Sequence, residues 1–205
     1  MIDRRSMLGL GVLGVAAGLA GPSLAAAAKG ARRAGGWIVL FDGKNLDNFE
    51  TIGKADWRLM DGVAESDTGV GYLVSKENYT DFDIKAEFWV SDDANSGVFI
   101  RCTNPRNVTA GNAYECNIFD QRPDQSYATG AIVDVAKPIV KPAKTGGKWN
   151  TIEVSARGDT FSVSINGVKT VDKAKDALHS HGRIALQHMA GVVKFRRVEI
   201  RPIDD

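Results

Sequence analysis

Short runs of β-branched and aromatic residues, separated by turn dipeptides, extend along almost the whole chain from Trp37 onward. Such runs include "YLVS", "FDIKAEFWV", "SGVFIRC", "NAYECNIF", "GAIVDV", "WNTIEVSAR" and "VVKFRRVEI". The dipeptide Asn166-Gly167 predicts a type I′ hairpin, because both central residues of that turn need a positive φ. Only residues 171–180 could hold a short helix. Many short strands without helical crossovers predict an all-β fold, an antiparallel sandwich.

The first 28 residues have the order of an export signal. The pair Arg4-Arg5 precedes an apolar run that ends in small residues, which is the order of charged region, apolar region and cleavage site. The arginine pair resembles a twin-arginine signal. A retained membrane anchor is the alternative, but Pro22 and the weakly apolar, glycine-rich run argue against it. We expect a cleaved signal over residues 1–28, a flexible leader over residues 29–36, and a periplasmic or extracellular protein.

The formal net charge of +1 falls to near zero once the signal is removed, because two arginines and one aspartate leave with it. A neutral protein without a long basic run gives no support for nucleic-acid binding. The remaining roughly 175 residues suit one domain with a substantial core, which we place at residues 37–205. No membrane span is expected in this mature chain.

Polar and apolar residues alternate over residues 82–90, so that one face is predicted to pack in the core and the other to meet solvent or a ligand. Trp89 falls on the polar face, together with Asp83, Lys85 and Glu87. It could be a platform on which a sugar ring stacks, or a surface tryptophan packed by a neighbouring loop. Both interpretations stay open at this point.

Charged residues also lie within two apolar strands, predicted over residues 96–102 and 113–119. If these strands form a hairpin, alternation places Arg101, Glu115 and Asn117 together on the face away from the core. The charges then need not be buried. A functional pair is one interpretation, and a surface ion pair that contributes little to stability is the other.

The two cysteines fall opposite each other in the same assumed register, Cys102 against Cys116, and both are predicted to face the core. A disulfide is feasible in an exported protein if the two Cα atoms lie within about 7 Å. Two buried free thiols are the alternative, because cross-strand geometry is often poor for this bond. No further cysteine or nearby histidine completes a metal site with them.

An ordered set of motifs resembles the 3-keto-disaccharide hydrolase family over nearly the whole mature chain. The motifs are "LFDGKNLDNFE", "NSGVFIR", "AYECNIFD", "TGAI", "WNTIEV", "ING", "GRIALQHM" and "VKFRRVEI". The resemblance implies a concanavalin A-like jelly-roll sandwich of two antiparallel sheets, one of them concave and open to a carbohydrate. It also implies an enzyme that cleaves 3-keto-glycosides by elimination, hydration of the glucal product or net hydrolysis.

Such chemistry needs a base near C2 of the sugar, a positive or hydrogen-bonding group at the C3 oxygen, and a proton donor for the leaving group. With the resemblance, Glu115 is expected to be the base or acid and Arg101 to hold the enolate oxygen. Asp120, Gln187 and His188 are expected to bind substrate or relay protons, and Asn117 to bind substrate.

The role of His188 has a competing interpretation, and the sequence departs from the family's usual pattern. His188 falls on the same face of its strand as Ile184 and Leu186, which are predicted to lie in the core. It is therefore as consistent with a structural core residue as with a catalytic one. Asn117 stands where a longer glutamine is common, which changes the width of the predicted sugar site. Cys116 follows "YE", and Arg197 replaces an asparagine in the last strand.

Two other classes of function stay open. A lectin-like module would use the same open face, with Trp89, to bind glycans without a base. A binding domain supported by a divalent cation is suggested by "SDDANSG", where Asp92, Asp93 and Asn95 offer oxygen ligands. That run lacks a full ligand set and is more often a turn.

Overall fold

The computed structural model describes residues 36–203. The predicted export signal, and the predicted leader apart from Gly36, lie outside the described residues. Over the described part of the chain, no helix has the length and apolar character needed to cross a bilayer.

Thirteen strands make up the described chain, together with a 3₁₀ helix over Gln125–Tyr127. The strands are β1 Ile38–Phe41, β2 Phe49–Gly53, β3 Arg58–Met60, β4 Val63–Ser66, β5 Gly71–Tyr79, β6 Phe82–Val90, β7 Ser96–Cys102, β8 Tyr114–Ile118, β9 Trp149–Arg157, β10 Thr160–Ile165, β11 Val168–Lys175, β12 Gly182–His188 and β13 Val193–Pro202.

The strands form two antiparallel sheets, which confirms the predicted sandwich. The front sheet has five strands in the order β2-β5-β12-β7-β8. The back sheet has eight strands in the order β11-β10-β9-β6-β13-β4-β3, with β1 paired to β13. The order departs widely from chain order, as expected of a jelly roll rather than a simple meander.

Local sequence signals predict some of these elements and miss others. Asn166 and Gly167 have φ of 51° and 78° and join β10 to β11, as the type I′ prediction requires. The helix predicted within residues 171–180 is wrong, because β11 continues to Lys175 and pairs with β10. The strand predicted from "GAIVDV" is also wrong, since Ile132 forms only isolated bridges there.

The core lies between the two sheets and is filled by one face of each strand. In β6 every second residue is buried and its neighbours are partly exposed, as the alternation over residues 82–90 predicted. The largest buried side chains of the back sheet are phenylalanines at positions 82, 88, 161 and 195, and Ile100, Ile118 and Leu186 meet them from the front sheet. Burial of this apolar surface is the main stabilising contribution to the sandwich.

A β-bulge in β7 changes which face its last residues occupy. Ala185 pairs with Phe99 but Arg183 pairs with Cys102, so β7 contains one residue more than β12 between these points. The extra residue is Arg101, whose φ of 52° lies in the left-handed region. Gly182 permits the bulge, because a Cβ there would lie 2.4 Å from the carbonyl carbon of Arg101.

The bulge and the observed register separate the two cysteines, so the predicted pairing of Cys102 with Cys116 is wrong and the free-thiol alternative is confirmed. Val98, not Cys102, lies opposite Cys116. Cys116 packs in the core between the sheets, whereas Cys102 packs in a separate apolar cluster with Phe99 and Ala185. Both cysteines are buried free thiols.

Candidate functional site

The outer face of the front sheet carries a row of side chains that ends at Glu115. Strand pairing joins Glu50 to Val74, Val74 to Ala185, Ala185 to Phe99, and Phe99 to Glu115. Directly paired residues of antiparallel strands lie on the same face. Glu115 therefore stands beside an apolar surface on the side of the sheet away from the core.

The carboxylate of Glu115 is partly buried, and no residue within 36–203 forms a hydrogen bond or an ion pair with it. Burial raises the pKa of Glu115 to about 7, with a smaller lowering contribution from Arg122 and a raising one from Asp134. A carboxyl group with a pKa near neutrality and no partner can accept a proton from a bound substrate.

Gly97 keeps the space next to Glu115 open. It lies opposite Asn117 in β8. A Cβ at this position would be 3.3 Å from the carbonyl oxygen of Cys116 and 3.4 Å from Cγ of Glu115. A side chain here would therefore contact Glu115, and glycine leaves that space beside the carboxylate-bearing residue unfilled.

The neighbouring row of the same face supplies polar groups. Gln187 pairs with Tyr72 across β12 and β5, and its Nε2 donates to the Tyr72 hydroxyl at 3.3 Å. That hydroxyl donates to the carbonyl oxygen of Val108 at 3.2 Å. Burial raises the pKa of Tyr72, and the charge of Glu115 adds to this increase, so the phenol stays protonated near neutral pH.

Two amide oxygens on this face, Oε1 of Gln187 and Oδ1 of Asn117, are buried and have no hydrogen-bond partner among residues 36–203. Asn117 is held through its Nδ2, which donates to the carbonyl oxygen of Tyr127 at 2.5 Å. An unsatisfied buried acceptor costs about 1–3 kcal/mol, so such atoms mark a place where a ligand can donate hydrogen bonds. Both residues were predicted to bind substrate, and the structure places them in one row, beside Glu115.

Arg122 is a member of this site that the sequence analysis missed. It lies in the turn after β8, where its charge lowers the pKa of Glu115. Its Nε is buried without a partner. Strand alternation gives no information on turn residues, and the only available signal was an arginine shortly after the second charged strand.

Arg101 does not join this site, so the predicted grouping of Arg101 with Glu115 is wrong. The bulge turns its side chain to the inner side of the sheet, where it is 1% exposed. Its guanidinium donates to the carbonyl oxygens of Thr80, Gly158 and His179 at 2.9, 2.6 and 3.1 Å. A fourth bond reaches Asp81 at 2.9 Å. Arg101 therefore ties the two sheets together at one end of the sandwich.

His188 also faces inward, which agrees with its parity and with a structural role. It is 1% exposed, and its Nδ1 and Nε2 lie 2.7 and 2.9 Å from the carbonyl oxygens of Gly69 and Gly191. Its ring packs edge-on against Trp57. The structure does not bring it to the face that carries Glu115.

Asp120 is already occupied by donors from the protein. Its carboxylate accepts from the Thr129 hydroxyl at 2.5 Å, from the Thr145 hydroxyl at 3.1 Å, and from the backbone N–H groups of Thr145 and Gly146 at 2.6 and 3.3 Å. This pattern holds the 145–146 loop against the end of β8. A direct role in substrate binding is not supported by it.

Trp89 lies on the outer face of the back sheet, on the opposite side of the sandwich from Glu115. It pairs directly with Trp149 in β9 and Lys194 in β13. Its predicted place in the site of Arg101 and Glu115 is therefore wrong, although its outward orientation is as predicted.

The cation site suggested by "SDDANSG" does not assemble. Asp93 accepts from the Ser91 hydroxyl at 2.6 Å, and the backbone of Asn95 pairs with Ala190. Within residues 36–203 no three His, Cys, Asp or Glu side chains gather closely enough to hold a metal ion.

Solved structures with this fold include presumed glycosyl hydrolases of Parabacteroides distasonis. One has a TM-score of 0.73 at 19% identity and covers 82% of this chain and 95% of its own. Another has a TM-score of 0.70 at 24% identity, with 82% and 99% covered. The carbohydrate-binding module CBM66 of Bacillus subtilis has a TM-score of 0.57 at 15% identity, with 80% and 94% covered.

The two sheets and these similarities define a jelly-roll β-sandwich protein. The model of the 3-keto-alpha-glucoside-1,2-lyase-like domain matches residues 36–201, so the chain belongs to this family. This finding confirms the family that the motifs indicated. No curated protein matches the chain significantly.

Proposed function

We propose that the protein cleaves 3-keto-glycosides by elimination across C1 and C2, with Glu115 as the base. The observation that carries the proposal is the unpaired, partly buried Glu115 carboxylate with a pKa of about 7. Family membership supplies the substrate class. Near neutral pH a large share of such a carboxylate is ionised, yet it remains basic enough to accept a proton.

One base is enough to account for the proton and the electron pairs of this elimination. The C3 ketone acidifies the hydrogen on C2, and Glu115 takes that proton. The electron pair of the C2–H bond forms the enolate, with its negative charge on the C3 oxygen. The enolate then collapses, the C1–C2 double bond forms, and the bond from C1 to the aglycone oxygen breaks. The aglycone leaves with the electron pair, and Glu115 carries the proton.

We propose Arg122 as the group that stabilises the developing enolate. Its charge already acts on Glu115, and its buried Nε lacks a partner in the described chain. A preorganised cation or donor at an oxyanion typically contributes a factor of about 10²–10³ in rate. We therefore transfer the role predicted for Arg101 to Arg122.

The amide oxygens of Asn117 and Gln187 are proposed to accept hydrogen bonds from sugar hydroxyls. Each is an acceptor that the folded protein leaves unpaired. Tyr72 positions Gln187 by accepting from its Nε2. Phe99, the strand partner of Glu115, is buried with Val74 and Ala185 and packs beneath these groups.

Steady-state kinetics on p-nitrophenyl 3-keto-glucosides of both anomers, and on the unoxidised glucosides, tests the proposal. The parent should release nitrophenol only from a 3-keto-glucoside. Glu115→Gln should lower turnover by about 10²-fold or more, the usual scale for a positioned base.

Glu50→Gln is the matched control, because Glu50 lies in the same row but is exposed and paired with Arg183. It should turn over substrate at the parent's rate. A parent that binds the sugars without cleaving them, or a Glu115→Gln variant as active as the parent, contradicts the proposal and favours a lectin-like protein.

A further inference from the structure

A pair of tryptophans lies side by side on the outer face of the back sheet. Trp89 of β6 and Trp149 of β9 are direct cross-strand partners, and both are partly exposed. Side chains paired in this way have Cβ atoms about 5 Å apart. The two tryptophans are therefore neighbours on this face, which is remote from Glu115 because it lies on the other sheet.

Basic side chains of β13 lie over one face of each ring. Lys194 Nζ lies 5.1 Å from the ring centroid of Trp89, and the Arg196 guanidinium lies 4.3 Å from that of Trp149. A bulge between Phe195 and Arg197 shifts the pairing of β13 with β6, so that two successive arginines avoid the core.

The rings line two adjoining depressions that share Trp149, Asp61 and Val63. One has a volume of about 370 Å³ and also includes Trp89. The other has a volume of about 420 Å³ and extends toward Asp42. Together they form an elongated surface lined by aromatic and polar groups, which suits a chain better than a small compact ligand.

The charges of this surface are largely neutralised within it. Lys194 pairs with Glu65 at 2.7 Å, and Arg196 pairs with Glu87 at 2.6 Å. Such a surface offers no excess positive charge to a nucleic acid, an acidic polysaccharide or an anionic membrane. It does offer hydrogen-bonding groups beside two apolar rings, which matches a neutral sugar with its C–H face and its peripheral hydroxyls.

We propose that Trp89 and Trp149 form a second carbohydrate-binding surface, which takes a neutral polysaccharide chain and is independent of the Glu115 site. Pyranose units stack on the ring faces that Lys194 and Arg196 leave uncovered, and the ion-paired side chains exchange hydrogen bonds with their hydroxyls. The proposal does not require the catalytic role of Glu115.

Native gels that contain hydroxyethyl cellulose, mixed-linkage β-glucan, laminarin or galactomannan test this surface by affinity electrophoresis. The parent should be retarded in at least one gel. Trp89→Ala/Trp149→Ala should bind at least about tenfold more weakly, on the scale of buried aromatic hot spots. The same variant should still cleave a small 3-keto-glucoside at the parent's rate.

Two controls separate this proposal from the proposed function. Glu115→Gln should be retarded like the parent although it loses activity. Trp37→Ala, which removes a third tryptophan that contacts Arg201 instead, should also be retarded like the parent. If the double variant melts below the assay temperature, the two single variants replace it, and each must weaken retardation. A parent that migrates freely in every gel, or a double variant retarded like the parent, overturns the proposal.

Discussion

Replacing Glu115 by glutamine should make the folded protein more stable at alkaline pH. The pKa of Glu115 rises from its ordinary value of 4.5 to about 7 on folding, chiefly because burial disfavours the charged form. Between these two pH values the unfolded chain releases the proton and the folded protein keeps it. The free energy of unfolding of the parent therefore falls as the pH rises through this window.

The size of the effect follows from the two pKa values. A pKa change from 4.5 to about 7 corresponds to about 3 kcal/mol once both states are ionised, near pH 8. Because the side chain keeps some solvent contact, we expect about 2–3 kcal/mol. Near pH 4 the carboxyl is protonated in both states, and the contribution vanishes.

Urea denaturation of parent and Glu115→Gln at pH 4, 5, 6, 7 and 8 measures this difference. The gain in unfolding free energy of the variant should grow with pH and level off near pH 8. Glu50→Gln, which removes an exposed carboxylate from the same face, should follow the parent's curve in parallel. A difference between Glu115→Gln and the parent that does not change between pH 4 and pH 8 would refute the burial of this carboxylate.

Three further predictions concern residues whose roles the structure assigns. Arg101→Ala should lower the free energy of unfolding by about 3–5 kcal/mol, because it removes one partner of the buried ion pair with Asp81. Below its melting temperature, the variant should keep the parent's activity per folded molecule. Arg122→Gln should lower kcat/KM by about 10²-fold. It should also move the acidic limb of the pH profile of kcat/KM to higher pH, because the charge of Arg122 lowers the pKa of Glu115. An unchanged pH profile would contradict the interaction between Arg122 and Glu115. Cys102 and Cys116 should both titrate as thiols after unfolding without reductant, and a melting temperature that depends on reductant would contradict this result.

The alternation of polar and apolar residues predicted the fold, and it predicted which face of most strands packs in the core, because this pattern depends on burial alone. It placed Glu115, Asn117 and Gln187 outward and His188 inward, as the structure has them. It failed at Arg101 because this residue, with its left-handed backbone, forms a bulge, and from the bulge onward the side chains of β7 lie on the face opposite to the one that alternation predicts. Nothing in "SGVFIRC" marks this bulge, and the glycine that permits it, Gly182, lies on another strand.

The composition of the candidate site was less predictable than the facing of its strands. Trp89 has the right orientation but belongs to the other sheet, and assigning a strand to a sheet needs the full set of pairings. Arg122 acts on Glu115 from a turn, and the carboxylate of Asp120 is hydrogen-bonded to the 145–146 loop. These placements depend on tertiary contacts that no local pattern encodes.

Deuterium at C2 of the substrate tests the central claim most directly. The parent should act on p-nitrophenyl 3-keto-[2-²H]glucoside with a primary isotope effect on kcat/KM, lose the label to solvent, and yield a glucal that mass spectrometry detects. Glu115→Gln should show neither label loss nor glucal at a comparable rate. Release of nitrophenol by the parent with the deuterium retained at C2 would contradict elimination, and with it the role assigned to Glu115.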